Sequence, residues 1–245
     1  MTHYLLVHDD PESDREYLRA PGEELQTDLG VLNVPDDVAP GDELETHLGE
    51  RFVVRALRVP DLFHHLDRTG APMMPRDVGL VVGHTGAQSG DRVLDAGTGT
   101  GILASALGRL GADVVTYERD SEFAEVAREN MVVAGVDDRV EVRAGNVVEE
   151  LDDVGKFDLV TLDTADAPTV VERVPDLLVP GGFVAVYSPF VEGTREAVEA
   201  AESAGLADVR TFETIQREMD FGERGSRPST AGVGHTGYLT FARHR

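Results

Sequence analysis

The chain has 245 residues, of which 41% are hydrophobic, enough for one large domain or two smaller ones with real cores. No stretch of eighteen apolar residues occurs and there is no cysteine, which excludes a membrane-spanning helix of ordinary hydropathy, disulfide scaffolds, thiolate metal sites and cysteine nucleophiles. With 46 Asp and Glu against 22 Lys and Arg, the net charge is -24, and a generally basic nucleic-acid-binding surface is excluded with it.

The first ten residues, Met1 to Asp10, carry no basic leader and only a four-residue apolar run, so no secretory signal is expected. Residues 1–59 read as a small all-β domain. Its strand candidates are Tyr4–Val7, Glu16–Arg19, Gln26–Leu29, Leu44–His47 and Phe52–Leu57, set apart by turns such as Ala20-Pro21-Gly22 and Ala39-Pro40-Gly41-Asp42. Alone such a unit is marginal, so it is expected to pack on the rest of the chain. Residues 60–74 read as a linking helix and loop, with Pro60 and Asp61 in the first turn of a helix running to Arg68. The adjacent His64 and His65 point about 100° apart on a helix and do not share a metal site. No histidine pair has metal-ligand spacing, so no metal is expected.

From Pro75 to Arg245 strands and helices alternate. Arg92–Ala96 is a strand that runs into a glycine loop, Ile102–Leu110 a helix stopped by Gly111, and Asp113–Glu118 a second strand. Phe123, Val126, Ala127, Asn130, Met131 and Ala134 recur at helical spacing up to Gly135. Val140–Arg143, Phe157–Leu162 and Phe183–Tyr187 are further strands, Glu192–Ala204 a helix, and Asp208–Phe221 and Gly237–Arg243 two closing strands. The alternation predicts an α/β fold, a mostly parallel sheet covered on both faces with an antiparallel terminal hairpin.

Asp95-Ala96-Gly97-Thr98-Gly99-Thr100-Gly101 lies between strand and helix. Its glycines allow a sharp turn and the approach of a ligand to the backbone. The spacing Gly-x-Gly-x-Gly differs from the dinucleotide fingerprint and resembles motif I of S-adenosylmethionine-dependent methyltransferases, the Rossmann-like class I fold. Glu118 closes the next strand 17 residues after Gly101, where a carboxylate can take both hydroxyls of a ribose. The cofactor contacts expected are Gly97, Gly99, Thr100, Gly101, Ile102, Leu103 and Glu118, with Asn146 offering its amide to an adenine edge. Asp163 ends the fourth strand and is expected to face both cofactor and substrate, since ligands in open α/β sheets sit outside the carboxyl ends of the strands. The alternative for Asp163 is a cap for the helix near Val170.

Among the basic residues only Lys156 is lysine, and the acidic residues are dispersed through patterned segments. This combination resembles proteins of extreme halophiles, in which molar salt shortens the Debye length to about 3 Å and screens self-repulsion.

Longer phrases carry a more specific resemblance. They are Gln26-Thr27-Asp28-Leu29-Gly30-Val31-Leu32, the stretch from Arg68 to Pro75-Arg76-Asp77, Arg227-Pro228-Ser229-Thr230 and Gly234-His235-Thr236-Gly237-Tyr238-Leu239, whereas Pro180-Gly181-Gly182-Phe183 matches general methyltransferase motifs and discriminates less. Together they resemble, nearly end to end, the archaeal branch of the N1-adenine tRNA methyltransferases, which modify T-loop adenines 57 and 58. The resemblance implies transfer of a methyl group from S-adenosylmethionine, leaving S-adenosylhomocysteine, to tRNA rather than DNA. It also implies a cytoplasmic homotetramer without membrane contact. It places the catalytic acid on Asp163 and the base pocket on Tyr187, Ser188, Pro189, Phe190 and His235. For Tyr187 to Phe190 the alternative is ordinary core and turn.

The chain departs from the family in three places. Asp163-Thr164-Ala165-Asp166-Ala167-Pro168 replaces Asp-Leu-Pro-x-Pro, Ala71 stands where the family has glutamine, and Asn146 replaces an acid. Two other functions share parts of the pattern, a protein-L-isoaspartate O-methyltransferase and a non-catalytic tRNA-binding protein. The first leaves the β unit and the Gly-His-Thr-Gly-Tyr close unexplained, and the second leaves the retained glycines, Glu118 and Asp163 unexplained. At -24 overall, RNA contact falls to local arginines, with Arg51, Arg55, Arg58, Arg68, Arg76, Arg217, Arg224 and Arg227 as candidates.

Overall fold

The computed structural model describes residues 3–152, 155–223, 225–232 and 234–245; Arg224, one of the candidate RNA contacts, lies outside them. Six short strands open the chain: β1 (Tyr4–His8), β2 (Glu16–Arg19), β3 (Glu24–Thr27), β4 (Gly30–Asn33), β5 (Glu43–Glu45) and β6 (Arg51–Ala56). They form an antiparallel sheet ordered β2-β1-β6-β5 and a separate β3-β4 hairpin around Leu6, Leu25, Leu32, Phe52 and Val54. Of the predicted strand Gln26–Leu29, Gln26 and Thr27 end β3, while Asp28 and Leu29 form the hairpin turn to β4. The Thr27 hydroxyl accepts the Leu29 N–H at 3.0 Å, and Gly30 begins β4 at φ 113°, a conformation open mainly to glycine.

Two helices follow, α1 (Val59–His65) and α2 (Pro75–Thr85), then β7 (Arg92–Ala96), α3 (Ile102–Leu110), β8 (Asp113–Glu118), α4 (Ser121–Ala134) and β9 (Val140–Ala144). After them come α5 (Val147–Glu150), β10 (Phe157–Leu162), α6 (Ala167–Leu177), β11 (Leu178–Ser188) and α7 (Val191–Ser203). The chain closes with β12 (Ala207–Glu213), β13 (Met219–Gly222), β14 (Gly225–Pro228) and β15 (Tyr238–Arg243). The central sheet has seven strands in the order β12-β15-β11-β10-β7-β8-β9. It is parallel from β11 to β9 and antiparallel where β15 enters between β11 and β12.

Alternate strand residues feed two cores, one on each face. Val93 and Leu159 join one cluster, Leu94 and Val160 the other, as a period of two requires. The first cluster also takes in Leu5 and Leu57, so the amino-terminal strands rest on the same core as α1 to α4.

The predicted strand Asp208–Phe221 is broken. β12 pairs with β15 only as far as Glu213 opposite Tyr238. Beyond that the partner strand ends, the chain leaves the sheet, and among the described residues β13 pairs only with β14. The terminal antiparallel pair of the large sheet is therefore β12 with β15, and a second hairpin projects from it.

Candidate active site

From β7 the chain passes to β8 on one side, and from β10 it passes to β11 on the other. The carboxyl ends of β7 and β10 therefore border a crevice, the switch point at which such sheets bind ligands. Asp95 pins it from below. The side chain is buried and accepts hydrogen bonds from the Thr116 hydroxyl of β8 at 2.6 Å and the Thr161 hydroxyl of β10 at 2.5 Å. Burial pushes its carboxyl above the usual range, the two hydroxyls opposing the shift.

Above Asp95 the loop turns through Gly97, Gly99 and Gly101 at φ 89°, 52° and 83°. At Gly97 the left-handed turn is joined by close packing: a Cβ there would run into the backbone carbonyl of Asp163. Glu118, at the end of β8, holds the loop from the side. Its carboxylate accepts the Gly99 N–H at 2.9 Å and the Asp120 N–H at 3.1 Å.

Three cavities open along this crevice. The first, of about 320 Å³, is walled by Gly97, Gly99, Glu118, Asn146 and Asp163, together with Thr69, Gly70, Arg119 and Phe123. The second, of about 400 Å³, lies between the β10–α6 and β11–α7 loops and is walled by Tyr187, Ser188, Pro189, Phe190, Pro168 and Glu196, again with Asp163. A narrow third space of about 40 Å³ separates Ala71, Pro72 and Met73 from Thr100, Gly101, Ile102, Leu103 and, once more, Asp163.

Asp163 is therefore a wall of all three. Its backbone N–H continues the parallel ladder to Ala96 O at 2.8 Å, while its carboxylate has no side-chain hydrogen bond among the described residues. Asp163 is exposed where it faces the open crevice, and protein packed around the rest of it partly buries the carboxyl. That burial, with the charges of Asp95 and Glu118 beside it, pushes it up to about 7. It caps no helix: the residue before α6 is Asp166, whose carboxylate pairs instead with Arg119 across the first cavity.

Other expected residues behave differently. Asn146 lines the first cavity but also caps α5, its carbonyl oxygen accepting the Val148 N–H at 3.1 Å; its amide NH2 is left as the donor. His235 lines none of the three cavities. It bonds Glu213 at 2.8 Å and packs on Tyr238, because the turn before β15 carries it to the outer edge of the sheet. Arg76 is removed from the RNA-contact candidates by burial, its side chain being 6% exposed.

Several lining residues escape sequence reading. Thr69 and Ala71 to Met73 reach the glycine loop because the buried Asn130 ties the linker to it, donating to Asp67 O and Thr100 O at 2.9 Å each. Phe123 falls by spacing on an apolar helix face, yet it is 39% exposed and borders the first cavity. Its place in the first turn after the strand that ends in Glu118 is the signal that could have found it.

A sequence profile described as "tRNA methyltransferase complex GCD14 subunit" matches residues 58–225. The chain is 33% identical to the tRNA (adenine(57)-N(1)/adenine(58)-N(1))-methyltransferase TrmI of Methanocaldococcus jannaschii, the match covering 98% of this chain and 94% of the relative. It is 30% identical to the tRNA (adenine(58)-N(1))-methyltransferase TrmI of Thermus thermophilus over 80% of this chain and 78% of the relative. Among solved structures, a SAM-dependent O-methyltransferase of Thermotoga maritima superposes with a TM-score of 0.82 at 24% identity, covering 99% of this chain and 92% of that one, which shows the shared Rossmann-like fold.

Proposed function

The chain belongs to the GCD14/TrmI family of tRNA methyltransferases, and from that premise we propose that it methylates N1 of T-loop adenine, at position 57, 58 or both, using S-adenosylmethionine. The observation that carries this reading is the position of Asp163 on the common wall of the three cavities.

The residues present suit the cofactor. Left-handed glycines bare the backbone at Gly97 to Gly101, and the first cavity has the dimensions of a small-ligand site. Glu118 is the carboxylate for a ribose diol, the Asn146 amide faces the base end, and the narrow space above Ile102 and Leu103 suits the amino-acid end. When bound, S-adenosylmethionine supplies an electrophilic methyl group on a sulfonium sulfur.

The chain's own residues then have two tasks. Adenine N1 already carries an in-plane lone pair, so no side chain has to remove a proton before methylation. Asp163, as a carboxylate, accepts a hydrogen bond from the exocyclic amine and offsets the positive charge that the ring acquires. Tyr187, Ser188, Pro189 and Phe190 form the second cavity, in which an adenine extruded from the T-loop is held in line. Phe190 is 69% exposed at its mouth, an apolar surface suited to stacking on a base.

The wider reading is a cytoplasmic homotetramer in a salt-rich cell, without metal. No helix among the described residues is long and apolar enough to cross a membrane. The exposed Ile215, Met219 and Phe221 near the projecting hairpin support a subunit contact there.

The test is transfer of labelled methyl from S-adenosylmethionine to an unmodified tRNA transcript, with an isoaspartyl peptide as competing acceptor and reverse transcription to locate the product. Label on adenine 57 or 58 is expected; label on the peptide alone, or on neither, refutes the reading.

A further inference from the structure

Two sequence motifs have no part in the reaction as described, Pro75-Arg76-Asp77 at the start of α2 and Gly234-His235-Thr236-Gly237-Tyr238 before β15. The fold brings them together. The Thr236 hydroxyl accepts a hydrogen bond from Arg76 Nη2 at 2.9 Å and donates to Asp77 Oδ2 at 3.0 Å. Arg76 Nε and Asp77 Oδ1 are 3.8 Å apart, with both side chains almost wholly enclosed. On its other side Thr236 offers its backbone carbonyl to the Tyr187 hydroxyl, which donates to it at 2.6 Å. Gly237 completes the contact. A Cβ there would come within 2.6 Å of Tyr187 Cζ and 2.7 Å of Ser188 O, so only glycine lets the closing segment lie flat on the ring.

Burying an arginine and a carboxylate costs desolvation energy that their attraction barely offsets. Such a pair is a poor way to gain stability and a good way to fix one geometry. The residue it fixes is a wall of the second cavity. Burial, with the nearby charges of Asp163 and Asp77, raises the Tyr187 hydroxyl above its ordinary value. It therefore stays protonated, and its one proton is already committed to Thr236.

We propose that Thr236, gripped by Arg76 and Asp77, is a positioning residue that fixes Tyr187 so that its ring, and not its hydroxyl, faces the methyl acceptor. This rests on the second cavity being the acceptor pocket. It gives the two motifs a single purpose: the start of α2 and the approach to β15 set the shape of a pocket to which neither contributes a wall.

The test uses the full chain and measures kcat and KM on unmodified tRNA, S-adenosylhomocysteine affinity by calorimetry, and Tm. Thr236→Val keeps the volume and removes the hydroxyl. Its kcat should fall about tenfold, short of the 10²-fold that a misplacement of about 1 Å can bring, while S-adenosylhomocysteine affinity changes by less than about twofold. Thr236→Ser restores the hydroxyl and should recover kcat to within about threefold of wild type. Tyr187→Phe breaks the same link from the ring side and should also lose about tenfold, whereas a tyrosine moving a proton would lose about 10²–10⁴. The inference is overturned if Thr236→Val keeps wild-type kcat and KM, if Thr236→Ser is as slow as Thr236→Val, or if cofactor affinity falls in step with kcat. Should Thr236→Val not fold, a Tyr187→Phe enzyme at wild-type kcat overturns it equally. A folded wild-type protein that methylates no tRNA overturns the acceptor reading itself, and this inference with it.

Discussion

Replacing Asp163 by asparagine changes a charge and almost nothing else. The side chains are isosteric, and the carboxylate has no side-chain hydrogen bond among the described residues to lose. If Asp163 is aimed at the charge that develops on the adenine, the variant should methylate tRNA about 10²–10³ times more slowly, or about 2.7–4 kcal/mol of transition-state stabilisation. The pH profile adds a second signature. Only the carboxylate form can act, and its proton is held up to about 7, so the wild-type rate in unsaturating cofactor should climb as pH rises through 7. That limb should vanish in Asp163→Asn.

Stability runs the other way. Because the folded value lies above the unfolded one of about 4, the folded state keeps this proton through a window where the unfolded chain has released it. The group's contribution is complete below about pH 4 and lost as pH rises through about 7. In a dry interior the effect would be about 4 kcal/mol, but water reaches Asp163 through the crevice, and about 1 kcal/mol is expected. Asp163→Asn should therefore melt higher than wild type at pH 8 and alike at pH 4. Single-turnover methylation and melts across pH 4–9 check both claims. Asp166→Ala, which breaks only an ion pair with the largely exposed Arg119, serves as the comparison and should lose less than about tenfold. A folded Asp163→Asn enzyme with near wild-type rate, or a loss confined to Asp166→Ala, would refute the reasoning.

Three further outcomes are expected. Glu118→Ala should weaken cofactor binding by about 1–3 kcal/mol, through the lost carboxylate and the orphaned Gly99 N–H, and unchanged affinity by calorimetry would remove Glu118 from the site. Gly97→Ala drives a methyl group into the Asp163 carbonyl; it should cost about 1–3 kcal/mol of stability and abolish detectable S-adenosylhomocysteine binding, and wild-type affinity would show that the loop is not the cofactor wall. The -24 charge should make Tm rise steeply with potassium chloride as repulsion is screened, and equal melting in dilute and molar salt would end the salt-adapted reading.

The parts of the fold legible in the sequence are those that local pattern determines. α3, β8 and β10 have the bounds expected of them, since each is a dense apolar run closed by glycine, a charged residue or a strand-end acid. α2 is not legible as a helix although Pro75, Asp77 and the left-handed Gly86 mark its ends, because two glycines, Gly79 and Gly83 on its exposed side, lower its helical propensity. The break after Glu213 is invisible for another reason. Where a strand stops depends on the length of its partner, and β15 begins only at Tyr238, after Gly237, which lies against Tyr187. The candidate site divides in the same way. Gly97 to Gly101, Glu118 and Asp163 sit at successive strand ends, and chain order alone carries such residues to one crevice. Thr69, Ala71 and the Arg76–Asp77–Thr236 grip depend on contacts across 63 to 160 residues of chain, which no local pattern encodes.

An acidic protein that handles RNA poses a problem of charge, and the crevice indicates how it is divided. Asp95, Glu118 and Asp163 stand close enough that each raises the field on the next. That arrangement strains the free protein and suits a site whose proposed guests are a sulfonium and a base becoming a cation. The same field repels phosphate, so on the proposed reading the backbone of the tRNA is met elsewhere, with the exposed Arg55 and Arg217 as candidates. With so few cations engaged, the salt slope of tRNA binding should be shallow, each phosphate contact contributing only about 0.7–0.9 to it. Recognition then falls mainly to shape and to stacking in the second cavity, interactions that molar salt leaves intact. On the proposed reading, the buried Arg76 holds the tyrosine of that cavity and meets no phosphate.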